Sequence, residues 1–318
     1  MLALTFAATV HISVLGAFHP VQFELRPALG ATLMVETEGR TAVLKDGSTI
    51  RLTGPAMVTG RFGSPAHFFL VIPGKGSSKV EREYFGRLEV RRMGAHQLQA
   101  IMEMDIETAV ASIVEAEGTK GLPFEARRAQ AVATRSYLLA AAGKRHQGYD
   151  FCDQDHCQYL KDVPAETTPA AKATASTRNQ VLVYKGNVVA ALYSANCGGH
   201  TRDLHEAGWQ DGTTPAGQYP YYGVSCPLGG TVSGHRVGMC QLGAIQIARQ
   251  GKTANVILAH YFPNTQIGMI GVGLSGTALA KTSPAVSPSF NIQTGLNPGL
   301  RASAGLSTIS GKDVPAAR

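Results

Sequence analysis

The sequence predicts an α+β protein, with a β-rich N-terminal part, a central helix pair and a mixed α/β C-terminal part. Three observations carry that prediction. Residues 10–104 hold short apolar runs and alternating segments separated by turn signals, the mark of strands. Residues 105–142 switch to an Ala-rich pattern of helical period. The 36 glycines and only 16% charged residues among 318 describe a loop-rich chain rather than a helical bundle.

The elements follow in order. The opening "MLALTFAATVHISVLGAFHP" has no charge before Glu24. It is apolar but lacks the basic start of a secretory signal. Val10, Ile12 and Val14 alternate with His11 and Ser13, so a first strand is preferred to a signal core. "TAVLKDGSTIRL" reads as two strands around Asp46-Gly47, a strong hairpin signal. "HFFLVIPG", "FGRLEVRRMG" and "LQAIMEM" read as further strands. No apolar run reaches the roughly 18 residues of a membrane span.

A first helix is expected from Asp105, a good N-cap, with Glu107 in its first turn. Ile106, Val110, Ile113 and Val114 form its apolar stripe, and four residues beyond Ile113 comes Glu117. Glu115 points away from the stripe and reads as a surface residue. A carboxyl at the edge of an apolar stripe is partly desolvated, which raises its pKa and suits it to general acid catalysis. The plainer reading is a cap or an ion pair with an arginine of the next helix. That second helix starts after Pro123 and presents Ala126, Ala129, Ala133, Tyr137 and Ala140 on one face, joined by Gln130 and Ser136. Arg135 falls on the opposite side, where an arginine is ordinarily solvated.

Residues 143–179 are mixed, with His, Cys and Asp at the start. "QVLVYKGNVVAALYSA" reads as a hairpin turning at Lys185-Gly186-Asn187, 200–234 as loop, and "MCQLGAIQIARQG" as a helix closed by Gly251. Residues 1–267 thus form the folded unit, and 268–318, rich in Ser, Gly, Ala and Pro, read as a flexible tail. The net charge of +7 is a mild excess without a basic run, which argues against a nucleic-acid binder and suits an anionic polymer only weakly.

Three segments together are specific. "IVEAEGTKGLPFEARRAQAVATRSYLLA", "LYSANCGGHT" and "SGHRVGMCQLGAIQIARQGKTANVILAHYFPNT" resemble the family of stage II sporulation protein D and the LytB amidase enhancer, over about residues 10–267. Arg236 stands where that family usually has glycine and Cys240 where it usually has serine. The stretch between "YPYYGVSC" and "SGHRVG" is shorter than usual. The resemblance implies an exported, extracytoplasmic protein whose partners are peptidoglycan glycan strands and, in one branch, a cell-wall amidase. It implies a lytic transglycosylase with Glu117 as acid/base and Arg135 as substrate or charge-stabilising residue, around a glycan groove. Such an enzyme needs no second carboxylate, because the sugar's own 6-hydroxyl is the nucleophile. Gln130, Ser194, His200, Thr201, His235 and Gln241 are the candidate substrate-binding residues, with turn and packing roles as the alternative. The rival reading is a non-catalytic peptidoglycan binder that activates an amidase. A third is a zinc-stabilised structural domain.

Five cysteines stand at 152, 157, 197, 226 and 240. His146, Cys152, His156 and Cys157 offer two imidazoles and two thiols, a donor set for tetrahedral zinc, and some similar proteins hold zinc with such a set. A Cys152–Cys157 disulfide is the alternative in an exported protein. Cys197 with Cys226 or Cys240 is a further possible pair.

Overall fold

The computed structural model describes residues 8–27, 33–36, 41–44, 49–51, 56–59, 61–74, 78–118, 121–209, 219–270 and 290–293. Its N-terminal half is a sheet built from β1 (Thr9–Val14), β2 (Gln22–Pro27), β3 (Leu33–Glu36), β4 (Thr41–Leu44), β5 (Thr49–Arg51), β6 (Ala56–Thr59), β7 (Ala66–Pro73), β8 (Lys79–Met93) and β9 (Gln97–Asp105). The α+β class is as the sequence predicts. The expected first strand is there, pairing antiparallel with β9 from Thr9↔Asp105 to Val14↔Ala100. The expected hairpin is the β4–β5 pair, Thr41↔Arg51, although its turn lies outside the described residues. Strands β2, β3 and β6 were not anticipated.

β8 is the seam of this sheet. Its first half pairs with β7 as far as Ala66↔Gly86, and its second half pairs with β9 from Arg87↔Glu103 onward. The handover falls at Gly86, where a Cβ would lie 2.2 Å from the Glu103 carbonyl oxygen. A side chain there would force the strands apart, so glycine is needed at the crossing.

Chain leaving β9 enters α1 (Ile106–Glu117) at once. Asp105 caps it, its carboxylate accepting the Glu107 and Thr108 N–H groups. α2 (Phe124–Ala141) runs between two apolar clusters. Ala131, Tyr137, Leu138 and Ala141 pack with α1 and the sheet. Ala129, Val132 and Ala133 pack with the C-terminal elements. A helix buried on nearly all sides must be made of small residues, which is why this one is Ala-rich.

The remainder comprises β10 (Phe151–Cys152), α3 (Pro169–Ser176), β11 (Gln180–Tyr184), β12 (Asn187–Val188), β13 (Tyr193–Ser194), β14 (Met239–Cys240), α4 (Gln241–Arg249), α5 (Ala254–Tyr261), β15 (Gln266–Met269) and β16 (Phe290–Gln293). β10 extends the large sheet beside β1. The hairpin of β11 and β12 turns at Lys185-Gly186, both with positive φ, the geometry of a two-residue primed turn. Its second arm is shorter than predicted: the chain departs after Val188, and Tyr193–Ser194 pairs instead with Met239–Cys240, parallel. Gly251 ends α4 with φ +78, donating its N–H to the Ala248 carbonyl.

The expected tail begins later than residue 268, because β15 pairs with β11 through Gln180↔Met269. β16 lies parallel to β6, and the rest of the expected tail lies outside the described residues. No helix among the described residues is long and apolar enough to cross a membrane.

Candidate active site

Glu117 is the last residue of α1, half-buried beside the C-terminal motifs. The helical stripe that carries it also carries Val110, Ile113 and Val114 into the core. Its Oε1 accepts the Tyr159 backbone N–H at 2.9 Å and its Oε2 accepts the Gln241 side-chain amide at 3.1 Å. The Tyr193 hydroxyl, a buried atom on a half-buried ring, lies close enough to favour the charged carboxylate. Burial pushes the carboxyl up from 4.5 to about 7, against the opposing pull of Tyr159, Tyr193 and Gln241. Desolvation disfavours the charged form more than these neighbours favour it. Glu115, two residues earlier, is exposed, as the stripe predicts.

Two sequence-distant motifs are zipped together to build this wall. Asn196 and Ser233 exchange backbone hydrogen bonds at 3.0 and 2.9 Å, and Met239 N–H donates to the Leu192 carbonyl at 3.0 Å. The approach is close: a Cβ on Gly234 would lie 2.8 Å from Ser194 Cβ, and one on Gly238 would lie 2.1 Å from the Leu192 carbonyl oxygen. That contact delivers Tyr193 from one motif and Gln241 from the other to the same carboxyl. His235 is tied to the same strand. Its Nδ1 accepts the Val237 N–H at 3.0 Å, so the ring proton sits on the other nitrogen. Burial holds its pKa below 6.5, against a hydrogen bond with the Tyr193 backbone, and keeps it neutral. The Trp209 ring lies 5.1 Å from it, centroid to centroid.

The other expected residues fall elsewhere. Arg135 is a correction: it is neither solvated nor in this site. It is fully buried, with Nε and Nη2 on the Glu107 carboxylate at 2.8 and 2.7 Å. Its remaining N–H groups go to the carbonyls of Ala131, Thr174 and Gln180. Glu107 stands in the first turn of α1 and Glu117 at its last residue, about 15 Å of helix apart. Every donor of Arg135 is spent on holding α1, α2, α3 and β11 together. Ser194 is buried, its Oγ accepting the Arg236 N–H at 3.2 Å. Thr201 is buried and bonds Val224 and Tyr222. His200 is exposed, its carbonyl held by Arg236 Nη2. Gln130 is buried, and its Nε2 has no partner among the described residues. Tyr159, Tyr193 and Trp209 were missed. Tyr193 sits inside a motif already singled out, whereas Tyr159 acts through its backbone and carries no sequence signal at all.

A second cluster lies just upstream of Tyr159. One ligand atom each from His146, Cys152, His156 and Cys157 lies within 4.8 Å of all the others. His146 Nε2 is 3.2 Å from Cys157 Sγ, and His156 Nδ1 is 3.6 Å and 3.7 Å from Cys157 Sγ and Cys152 Sγ. Both cysteines are free thiols. Zinc bound tetrahedrally with bonds of 2.0–2.3 Å sets its ligand atoms about 3.5 Å apart, so the donors and their spacing fit that ion.

Residues 94–184 are similar to the stage II sporulation protein family, SpoIID, whose model matches them. An uncharacterized protein of Brachyspira hyodysenteriae is 33% identical over 122 residues, 37% of this chain and 33% of that relative. The match therefore spans about a third of the relative's length.

Proposed function

We propose that the protein is a lytic transglycosylase that cleaves peptidoglycan glycan strands with Glu117 as the single acid/base. The observation that carries the reading is a half-buried carboxyl fixed by the Tyr159 N–H and the Gln241 amide and pushed up to about 7 by burial. At neutral pH such a group is present in both protonation states, as one residue acting first as acid and then as base requires. The SpoIID domain over residues 94–184 supports a cell-wall role in sporulation.

In this reading Glu117 gives its proton to the glycosidic oxygen as the bond from the anomeric carbon to that oxygen breaks. The muramic acid 6-hydroxyl oxygen bonds to the anomeric carbon, and its proton passes to the Glu117 carboxylate. The products are a free hydroxyl end and a 1,6-anhydro end, no water is consumed, and the acid is restored. Two-carboxylate glycosidases need a nucleophile or a base for water; here neither is required. Gln241 and Tyr159 hold the carboxyl in one orientation, and Trp209 beside His235 offers an aromatic face to a sugar ring.

His146, Cys152, His156 and Cys157 would hold a structural zinc, which supplies a closed four-ligand tie for the loop that leads into Tyr159. The test of the whole reading is mass analysis of the products released from purified cell wall. Anhydro-ended fragments support it, and their loss in Glu117→Gln assigns the residue. Tight glycan binding without any release would instead mark an activator of a cell-wall amidase.

A further inference from the structure

Three cysteines far apart in the chain meet at one point. The sulfurs of Cys197, Cys226 and Cys240 all lie within 4.8 Å of one another, and all three are free thiols. Cys197 and Cys240 are fully buried and Cys226 half-buried. Cys197 lies just beyond β13, Cys240 ends β14, and Cys226 is pinned by its N–H on the Gly199 carbonyl at 2.9 Å.

N–H donors converge on one of these sulfurs. The N–H groups of Cys197 and Gly243 both point at Cys240 Sγ, each at 3.3 Å. Cys240 caps α4, so the positive end of that helix faces its sulfur. The Tyr261 hydroxyl is 3.3 Å from Cys226 Sγ. Gly243 makes the room: a Cβ there would lie 2.1 Å from the Tyr261 oxygen and 2.3 Å from the Cys226 sulfur. On its outer side Cys226 lines a cleft of about 350 Å³ with Ser225, Pro227, Lys252 and His260, which opens that residue to solvent.

We propose that Cys197, Cys226 and Cys240 form a second metal site, a tri-thiolate that takes a thiophilic d10 cation. Metal–sulfur bonds of about 2.3 Å set sulfurs just under about 4 Å apart, which suits the cluster. A disulfide brings two sulfurs to about 2.05 Å and strands the third. Thiolates select Cu(I) and Zn(II) over harder ions. Cu(I) is satisfied by three sulfurs, whereas Zn(II) draws a fourth ligand from the cleft side. Each thiol that ligates releases its proton to solvent. The site also braces α4 at Cys240, next to Gln241 and its bond to Glu117.

The experiment is native mass spectrometry of the full chain, purified reduced, stripped, and reloaded separately with Zn(II) and with Cu(I). Cys240→Ser is the decisive variant, because serine keeps the size of the side chain and can still cap α4 while it removes one thiolate ligand. The unaltered chain should hold one ion more than Cys240→Ser for at least one of the two metals. Retention of Cu(I) alone identifies a three-coordinate site, and retention of Zn(II) a four-coordinate one. A second variant, Cys152→Ser with Cys157→Ser, should keep one ion and lose it when Cys240→Ser is added. Equal metal content in Cys240→Ser and the unaltered chain would overturn the proposal. So would a reduced chain, without added oxidant, that lacks two hydrogens and carries a bond between two of the three cysteines.

Discussion

The Tyr159 backbone N–H and the Glu117 carboxylate meet at 2.9 Å although 42 residues separate them in the chain. Cys157 is two residues before Tyr159, so the His146/Cys157 cluster and the carboxyl are mechanically linked. Gln241, which closes the other oxygen of the same carboxyl, arrives from 124 residues away. The acid at the end of α1 is thus held by two later parts of the chain.

Glu117→Gln keeps size and hydrogen bonding but removes proton transfer. Turnover on purified cell wall should fall by at least about 10²–10⁴-fold. Glu115→Gln should leave it unchanged, because that side chain is exposed. Reducing ends in place of anhydro ends would show that water is the nucleophile, and the transglycosylase reading would fall even if Glu117 proved essential.

The pH dependence of stability has a definite sign. The folded-state pKa of Glu117, about 7, lies above its ordinary 4.5. The folded state therefore holds the extra proton, and this contribution is fully present below about pH 4.5 and lost as pH rises through 7. The unaltered protein should lose stability relative to Glu117→Gln across that window. The difference is on the order of 2 kcal/mol once partial exposure is allowed for. Melting curves at pH 5 and pH 8 measure it, and parallel shifts of both proteins would contradict the assignment.

Gln241→Leu removes a donor that favours the charged carboxylate. The Glu117 pKa should rise further, so the alkaline limb of the rate profile should move to higher pH. An unchanged limb with a uniformly lower rate would mean that Gln241 acts only on substrate.

Arg135→Met leaves Glu107 buried without its cation. Breaking a buried pair costs about 3–5 kcal/mol, so a large fall in melting temperature is expected. Adding Glu107→Gln should recover part of it, a non-additivity expected of residues in contact. If Arg135→Met instead kept its stability and lost only activity, the arginine would belong to the reaction.

Removing metal from the His146, Cys152, His156 and Cys157 set should loosen the loop before Tyr159. Cys157→Ser is expected to lower both zinc content and turnover while the sheet's circular dichroism persists. Full turnover in protein shown to be zinc-free would separate the cluster from the site.

Much of this molecule was determined by local patterning. The alternation of Val10, Ile12 and Val14 sets β1, Asp105 sets the start of α1, and Gly251 sets the end of α4. The helical period is enough to separate Glu117 from Glu115. Each of these depends on residues within one or two turns, and local backbone preference decides them. Strands β2, β3 and β6 were not legible because their pairing energy comes from neighbours far along the chain. Arg135 shows the limit most clearly. Its helical face predicts solvent, but α2 is enclosed by two cores and that face receives α1, α3 and β11. Desolvating a guanidinium is tolerable only where a carboxylate and carbonyls already converge, and that convergence is a property of the packed elements. The same is true of the three cysteines at 197, 226 and 240, whose meeting depends on the parallel pairing of Tyr193–Ser194 with Met239–Cys240. The sequence by itself determined which carboxyl stands at the edge of the core. Only the tertiary structure decided its partners and its pKa, because desolvation and hydrogen bonds to one atom come from segments that the linear order keeps apart.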